Sequence, residues 1–383
     1  MSPADGPYAP AVDGAGTDDA RIAALLSRHT YEEVSRIIGK SRGTVWRTAM
    51  RLGVRKHEDR IRQRRDDRRR EQEEFLKSML DQTAKSDVLD FFAGLPDDSI
   101  AAHISSPPYN LNKQYGAGPS ADAMRYTYFH GWLQQTVSEM ARTVTPGGVV
   151  CLNTGKTRDW TEHLLPMDVM LFEDLRRSGL TFQTRIVWTV PHGLTPANRP
   201  ADRYETILVF SKGEPRFNSN AARIPQKQPG KRAFKGPNKG NLSGNPYGAA
   251  PTDVWSDIPT VRHNHPERAF GAHPAQFPVA LAKRLVLLYT LPGETVCDAF
   301  CGSGSTPVAA IETGRHFTGA DLFYEDLRAK RIANAKLDSF SPLTGVTDES
   351  VAVWQAEARR VDLRAEPVTA AKEAAQQREF VLV

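Results

Sequence analysis

The sequence predicts an α/β fold, doubly wound about a mixed, mostly parallel sheet, with a small helical unit ahead of it. Three observations carry that expectation. The first is Ser99-Ile-Ala-Ala-His-Ile104, an apolar run the length of one buried strand. Pro107-Pro108 ends it, because neither proline can donate a ladder hydrogen bond. The second is Thr295-Val-Cys-Asp298 running into Ala-Phe-Cys-Gly-Ser-Gly304 and Ser-Thr-Pro307, which reads as strand, glycine turn and helix start. Phe317-Thr-Gly-Ala-Asp321 comes next as a further strand that ends in an acid. The third is the apolar spacing from Thr17 to Lys56, which predicts helices alone.

Composition sets the bounds. A chain of 383 residues holds one large α/β domain with attachments. A net charge of +5 and a pI near 9.0 favour a polyanionic partner. Three irregularly spaced cysteines suggest neither a disulfide framework nor a zinc site. Cys297 and Cys301 read as buried thiols flanking the glycine turn, so no metal is expected. No apolar run approaches the ~18 residues that span a membrane, and the start lacks the basic and apolar regions of a signal peptide. A cytoplasmic, nucleoid-associated protein is the expectation.

Residues 1–16 read as disordered. Helices are expected over Asp18–Arg28, Tyr31–Ile38 and Ser41–Leu52, with Gly39 closing the second and Ser41 capping the third. Ile22, Leu25, Leu26, Val34, Ile37, Ile38, Val45 and Leu52 would form their core. Residues 31–47 resemble a helix-turn-helix, which within a 17–56 domain would present Arg42, Thr44 and Arg47 to a major groove. A helical bundle for protein contacts is the other reading. Arg55–Glu74 carries nine Lys/Arg and seven Asp/Glu, so 57–82 reads as a solvated linker helix.

The α/β domain is expected over 83–340. Asp87 precedes a helix and suits its cap. After the prolines, 110–124 is a polar, Gly-rich loop. Helices at Tyr126–Val144 and Met167–Ser178 bracket a strand at Val149–Asn153. Strands at Thr184–Val190 and Tyr204–Phe210 come after them. From Lys212 to Lys239 there are eight Lys/Arg against one acid, within an insertion spanning 212–272. Arg223, Lys227, Lys231, Arg232 and Lys235 there suit phosphate contact, against a disordered insertion with no such role. Helices are expected at His273–Leu285 and Ala329–Leu337, and 341–383 is a tail with no assigned role.

A strand stopped by Pro-Pro leaves its end at the carboxyl edge of the sheet, where open α/β sheets bind ligands. The Ser106 hydroxyl, the carbonyls of Ser106 and Pro107 and the Tyr109 ring suit a planar group bearing an amine. An acid about 20 residues beyond a glycine turn suits ribose hydroxyls, which points to Asp321.

Ser106-Pro107-Pro108-Tyr109 ahead of Asp298-Ala-Phe-Cys-Gly-Ser-Gly304 resembles the amino-methyltransferases of DNA, in the permuted motif order of the β group. The resemblance covers roughly Asp87 to Leu337. It implies a methyltransferase fold, S-adenosylmethionine as cofactor and double-stranded DNA as partner. It also implies that Asp87 holds the adenine, that Phe300 lies on the cofactor, and that Asp298, Gly302, Gly304, Ser305 and Thr306 serve the methionine end. His273 and Phe277 would enclose that end, and the Trp-containing hairpin and the 212–272 insertion would shape base and sequence recognition. The target base would be flipped out and stacked on Tyr109, with its amine held by Ser106 and the Pro107 carbonyl. No Pro-Cys dipeptide of the cytosine-C5 enzymes is present. Serine before Pro-Pro resembles the cytosine-N4 enzymes and aspartate the adenine-N6 ones, so N4 is favoured with N6 as the alternative. Methylation of RNA or protein, and a regulator with a degenerate domain, are further readings. A homodimer and a cognate restriction endonuclease stay open.

Overall fold

The computed structural model describes residues 18–53, 57–116, 122–191, 193, 195–228, 230–245 and 248–337. The expectations for 1–16, for part of the 110–124 loop and for the tail lie outside them. The chain divides into two compact units, with the break between Glu73 and Glu74.

The first unit contains α1 (Asp18–Leu26), α2 (Tyr31–Ile38) and α3 (Arg42–Arg51). Thr30 and Glu33 form a reciprocal capping box at the start of α2, and Gly39, at φ 72°, ends it. The Ser41 hydroxyl accepts from the Thr44 amide and starts α3. Ile22, Leu26, Tyr31, Val34, Val45 and Ala49 form the core, with Leu25 and Ile38 packed against it. Two expected core residues are not in it: Ile37 and Leu52 are exposed. Val34 and Ile38 share a face of α2, and Ile37 falls off it by one helical step.

The helix α4 (His57–Met79) is the charged segment. Its last turn is apolar, and Phe75, Leu76 and Met79 pack on the core of the second unit. That unit therefore begins some residues ahead of 83. The short strand β1 (Gln82–Ala84) and helix α5 (Val88–Gly94) come next.

The second unit is built on an eight-stranded sheet, in the order β1-β10-β9-β2-β3-β7-β6-β8. Its other strands are β2 (Ile100–Ser105), β3 (Val144–Thr154), β6 (Thr181–Thr189), β7 (Tyr204–Ser211), β8 (Val254–Trp255), β9 (Thr295–Asp298) and β10 (His316–Ala320). β1, β10, β9, β2 and β3 are parallel, and β7 runs antiparallel to both β3 and β6. A separate hairpin pairs β4 (Lys156–Arg158) with β5 (Leu164–Pro166).

Strand alternation divides two cores. Val150 and Leu152 of β3 and Leu208 and Phe210 of β7 face one, covered by α5, α6 (Tyr126–Thr143) and α7 (Met167–Arg177). Val149 and Cys151, with Ile207 and Val209, face the other, covered by α8 (Val279–Tyr289) and α9 (Ser305–Glu312). In β2 a register shift between Ile100 and Ala102 puts these two residues on opposite cores despite their spacing.

Two helices sit elsewhere than expected. α8 begins at Val279 rather than 273, because Pro274 and Ala275 form a turn after His273, and Pro278, in an extended conformation, supplies the helix entry. α10 spans Glu325–Asn334 rather than Ala329–Leu337, and enters through Tyr324 in the left-handed region. The basic segment after Lys212 does not stand alone. Ala221, Ala222, Trp255 and Ile258 are buried in the second core, and backbone bridges join Ile224 to Ala249 and Arg232 to Leu242. No helix among the described residues is long and apolar enough to cross a membrane.

Candidate active site

β2 and β9 are neighbours although about 190 residues separate them, with His103 opposite Cys297. Their carboxyl ends therefore lie side by side. Two hydrogen bonds tie these ends together: Ala299 N–H donates to Ser105 Oγ at 3.0 Å, and Thr306 Oγ1 donates to the Ile104 carbonyl at 3.1 Å. Above this junction is a cavity of about 840 Å³, within the range of sites that enclose a cofactor-sized ligand.

All of Ser106–Tyr109 lines the cavity. So do Asp87, His273, Phe277, Phe300, Gly302, Ser305 and Asp321. Asp298, Gly304 and Thr306 do not; they sit behind its wall. Asp87 is also the cap of α5, accepting from the Leu89 amide at 2.9 Å.

The Tyr109 hydroxyl donates to Glu205 Oε2 at 3.2 Å and lies 3.4 Å from Ser106 Oγ. Asn153 Nδ2 donates to the same Glu205 oxygen at 2.6 Å and reaches Tyr109 Oη at 3.3 Å. Burial pushes both the Tyr109 and Glu205 pKa values up. Gly155 backs the ring; a Cβ there would stand 2.6 Å from Tyr109 Cε2. Trp188 lies opposite Glu205 in the β6–β7 ladder and donates its indole N–H to the Ile258 carbonyl at 2.8 Å.

Sequence reasoning misses Glu205 and Asn153. Their signal is positional: Asn153 stands near the end of a strand at the same edge as Ser106, and Glu205 lies near the start of the antiparallel strand beside it.

At the glycine turn, Asp321 accepts from the amides of Gly302 at 2.7 Å and Phe323 at 2.8 Å. The buried Arg328 donates to the carbonyls of Gly302 and Phe323 at 2.9 and 3.0 Å. This acid thus shapes the turn as well as facing the cavity. Gly302 has φ 47°, and a Cβ would meet His273 Nε2 at 3.0 Å. His273 is packed between Tyr115 and Tyr324, and burial lowers its pKa to about 4, so the ring is neutral. Phe300 meets Trp132 edge-on at 5.5 Å.

Asp298 is buried, and desolvation lifts its pKa to about 6 even with the Phe300 amide donating to it. A carboxyl raised in the folded state contributes stability that is present in full below its unfolded value and lost as pH rises through the folded one. Asp298→Asn is therefore expected to raise the melting temperature of the ligand-free protein more at about pH 7.5 than at about pH 4.5. His103, held near 3 by burial, works in the opposite direction as pH falls, so the variant has to be compared with wild type at each pH. An equal gain at both values would place the cost of Asp298 elsewhere than in its charge.

The residues assigned to DNA contact divide by structure. Arg42 and Arg47 are exposed on α3, while Thr44 is half-buried beside its cap. Arg223 donates to Asn220 and to the Gly248 carbonyl, and Arg232 to the Gly240 carbonyl, so both hold loop shape. Lys227, Lys231 and Lys235 are exposed. Among the described residues no His, Cys, Asp and Glu side chains gather as a metal site.

A mostly parallel sheet, a glycine turn answered by an acid, and an acceptor-lined edge beside it define a methyltransferase-type protein. Residues 100–330 match the N6/N4-type DNA methylase family, and the chain belongs to it. It is 34% identical over 249 residues to the Type II methyltransferase M.BglII of Bacillus subtilis, covering 65% of this chain and 67% of that one. It is 30% identical over 246 residues to the DNA adenine methyltransferase YhdJ of Escherichia coli K12, covering 63% and 78%. Among solved structures, the cytosine-N4-specific PvuII DNA methyltransferase shares the fold, with a TM-score of 0.50 at 18% identity over 74% of this chain and 95% of that one.

The cofactor is S-adenosylmethionine. The site fits it: the turn is open at Gly302, where a left-handed backbone and a tight approach to His273 favour glycine, an acid faces the cavity beyond it, and Phe300 offers a flat apolar wall.

Proposed function

We propose that this methyltransferase modifies the exocyclic N4 of cytosine in duplex DNA, acting directly on a flipped base. The observation that carries the reading is Ser106 and Tyr109 opening into the same cavity as the Gly302 turn. The cofactor supplies an electrophilic methyl group on a sulfonium. The protein's part is to orient the amine, with Ser106 Oγ and the Pro107 carbonyl accepting its hydrogens and Tyr109 stacking on the ring. Positioning of this kind supplies much of a rate enhancement when no nucleophile has to be generated. Asp87, Phe300, Gly302 and Asp321 would hold the cofactor.

Serine before Pro-Pro favours cytosine. Adenine N6 is the second reading, and the likeness to an adenine methyltransferase favours it. Nucleoside mass spectrometry and methylation-aware sequencing of DNA from expressing cells separate the two. N4-methylcytosine at one recognition sequence is expected. N6-methyladenine alone would transfer the assignment to the second reading, and unmodified DNA would remove both. The relatives' Type II class makes an endonuclease of the same recognition sequence the expected companion.

Arg42 and Arg47, with Lys227, Lys231 and Lys235, would meet phosphates or base edges. Since the second unit begins at Glu74, deletion of residues 1–73 is expected to leave a folded, methylating protein. DNA affinity should fall, and its salt dependence should flatten by about one unit of slope for each phosphate no longer neutralised. Unchanged affinity and slope would assign the helices another partner.

A further inference from the structure

Behind the amine-holding edge stands a carboxylate to which orientation of the amine assigns no task. Glu205 is the second residue of β7, and its side chain faces the cavity. From Ser106 Oγ to Tyr109 Oη is 3.4 Å, and from Tyr109 Oη to Glu205 Oε2 is 3.2 Å. Asn153 Nδ2 donates to the same carboxylate oxygen at 2.6 Å and lies 3.3 Å from Tyr109 Oη, so the three groups form one cluster. An unbroken polar path thus leads from the hydroxyl at the amine to a carboxylate.

The chemistry needs such an end point. Adding a methyl cation equivalent to an amine forms an N–C bond and leaves a positive charge on the nitrogen. A neutral product requires one N–H bond to break. We propose that Glu205 is a positioning residue for the transfer, holding the Tyr109 hydroxyl toward Ser106 and ending the path by which the surplus proton leaves. The nitrogen's proton passes to Ser106 Oγ, the Ser106 hydroxyl proton to Tyr109 Oη, and the Tyr109 proton to the carboxylate. One N–H bond breaks, one carboxyl O–H bond forms, and the charges cancel with no further reactant. The role rests on the proposed placement of Ser106 at the amine.

The surroundings suit a proton acceptor. Desolvation raises Glu205 above the usual carboxylate range, against the hydrogen bonds from Asn153 and Tyr109 and the positive charge of Lys113. A base brought nearer the working pH is the more effective one. The groups facing it are Tyr109 from the end of β2, Asn153 from β3, Trp188 from β6 and Lys113 from the loop beyond Tyr109. Asp298, near 6, titrates on its own account behind the glycine turn.

Glu205→Gln, Tyr109→Phe and the double variant test the path by single-turnover methyl transfer and cofactor titration. Glu205→Gln is expected to bind S-adenosylmethionine within about twofold of wild type and to transfer methyl roughly 100-fold more slowly. Tyr109→Phe keeps the ring and cuts the path, so its loss should be similar. The double variant should be no slower than the slower single one, because both interrupt one path. The wild-type rate should fall as pH drops through a value above the ordinary carboxylate range, and Glu205→Gln should lack that limb while keeping any due to Asp298.

A second readout needs neither cofactor nor DNA. The raised carboxyl costs stability once ionised, so Glu205→Gln should gain in melting temperature over wild type at about pH 8 and not at about pH 4. A transfer rate within about threefold of wild type in Glu205→Gln, or losses that multiply in the double variant, would overturn the proposal. If Ser106→Ala also transfers at the wild-type rate, the amine edge itself is misassigned. If Ser106→Ala is slow and Glu205→Gln is not, the role of Glu205 alone fails.

Discussion

Ser106→Ala combined with Tyr109→Ala is expected to reduce methyl transfer by about a thousandfold in a protein that still folds and still binds its cofactor. Loss of the ring removes a base-stacking contact worth ~1–3 kcal/mol. Loss of the hydroxyl removes a hydrogen bond worth ~0.5–1.5 kcal/mol, and with it the alignment of the nitrogen. Both residues are half-buried and face the cavity, and the Tyr109 ring also packs against the first core. If the four residues were merely a proline turn closing a core strand, Tyr109→Ala would lower the melting temperature with no matching loss of transfer rate, and Ser106→Ala would do little. Single-turnover rates and melting temperatures on the same proteins distinguish these outcomes. A well-folded double variant with wild-type rates would end the mechanism.

Gly319→Ala should destabilise and distort the cofactor half of the site. Gly319 of β10 pairs with Asp298 of β9, and a Cβ there would lie 2.2 Å from the Asp298 carbonyl oxygen and 2.5 Å from Cys301 Sγ. The first of these is backbone in a central strand and cannot swing aside. The strands must part, which displaces Asp298 and the turn from Cys301 to Gly304 together. Overpacking of this kind costs ~1–3 kcal/mol and at times more. A lowered denaturant midpoint and weakened S-adenosylmethionine binding in the same variant are expected. Wild-type values for both would mean that the sheet yields more readily than its spacing implies.

The sequence by itself determined the class. A strand cut off by Pro107-Pro108, and a strand, glycine turn, helix and acid from Thr295 to Asp321, are local patterns. Each is set by which residues can donate, turn or alternate within a few positions. Ser41, Gly39 and Asp87 are legible as caps for the same reason.

Boundaries are less so. Local pattern displaces α8 and α10 by a few residues, and it counts Ile37 and Leu52 into a core that α2 and α3 turn them away from. The apolar last turn of α4 is hidden inside a run of charge, and only packing against Phe91 and its neighbours reveals where the second unit begins.

Only the tertiary structure decided the interior of the site. Strand order places β9 beside β2, and with that the glycine turn beside Ser106. Pairing of β7 with β3 brings Glu205 onto the oxygen of Tyr109 across 96 positions of sequence. Loop hydrogen bonds within the basic insertion set Arg223 and Arg232, which brace their own loops, apart from the lysines left at its surface. Long-range pairing arises from the whole set of buried faces finding partners at once, so no short window of the chain carries it.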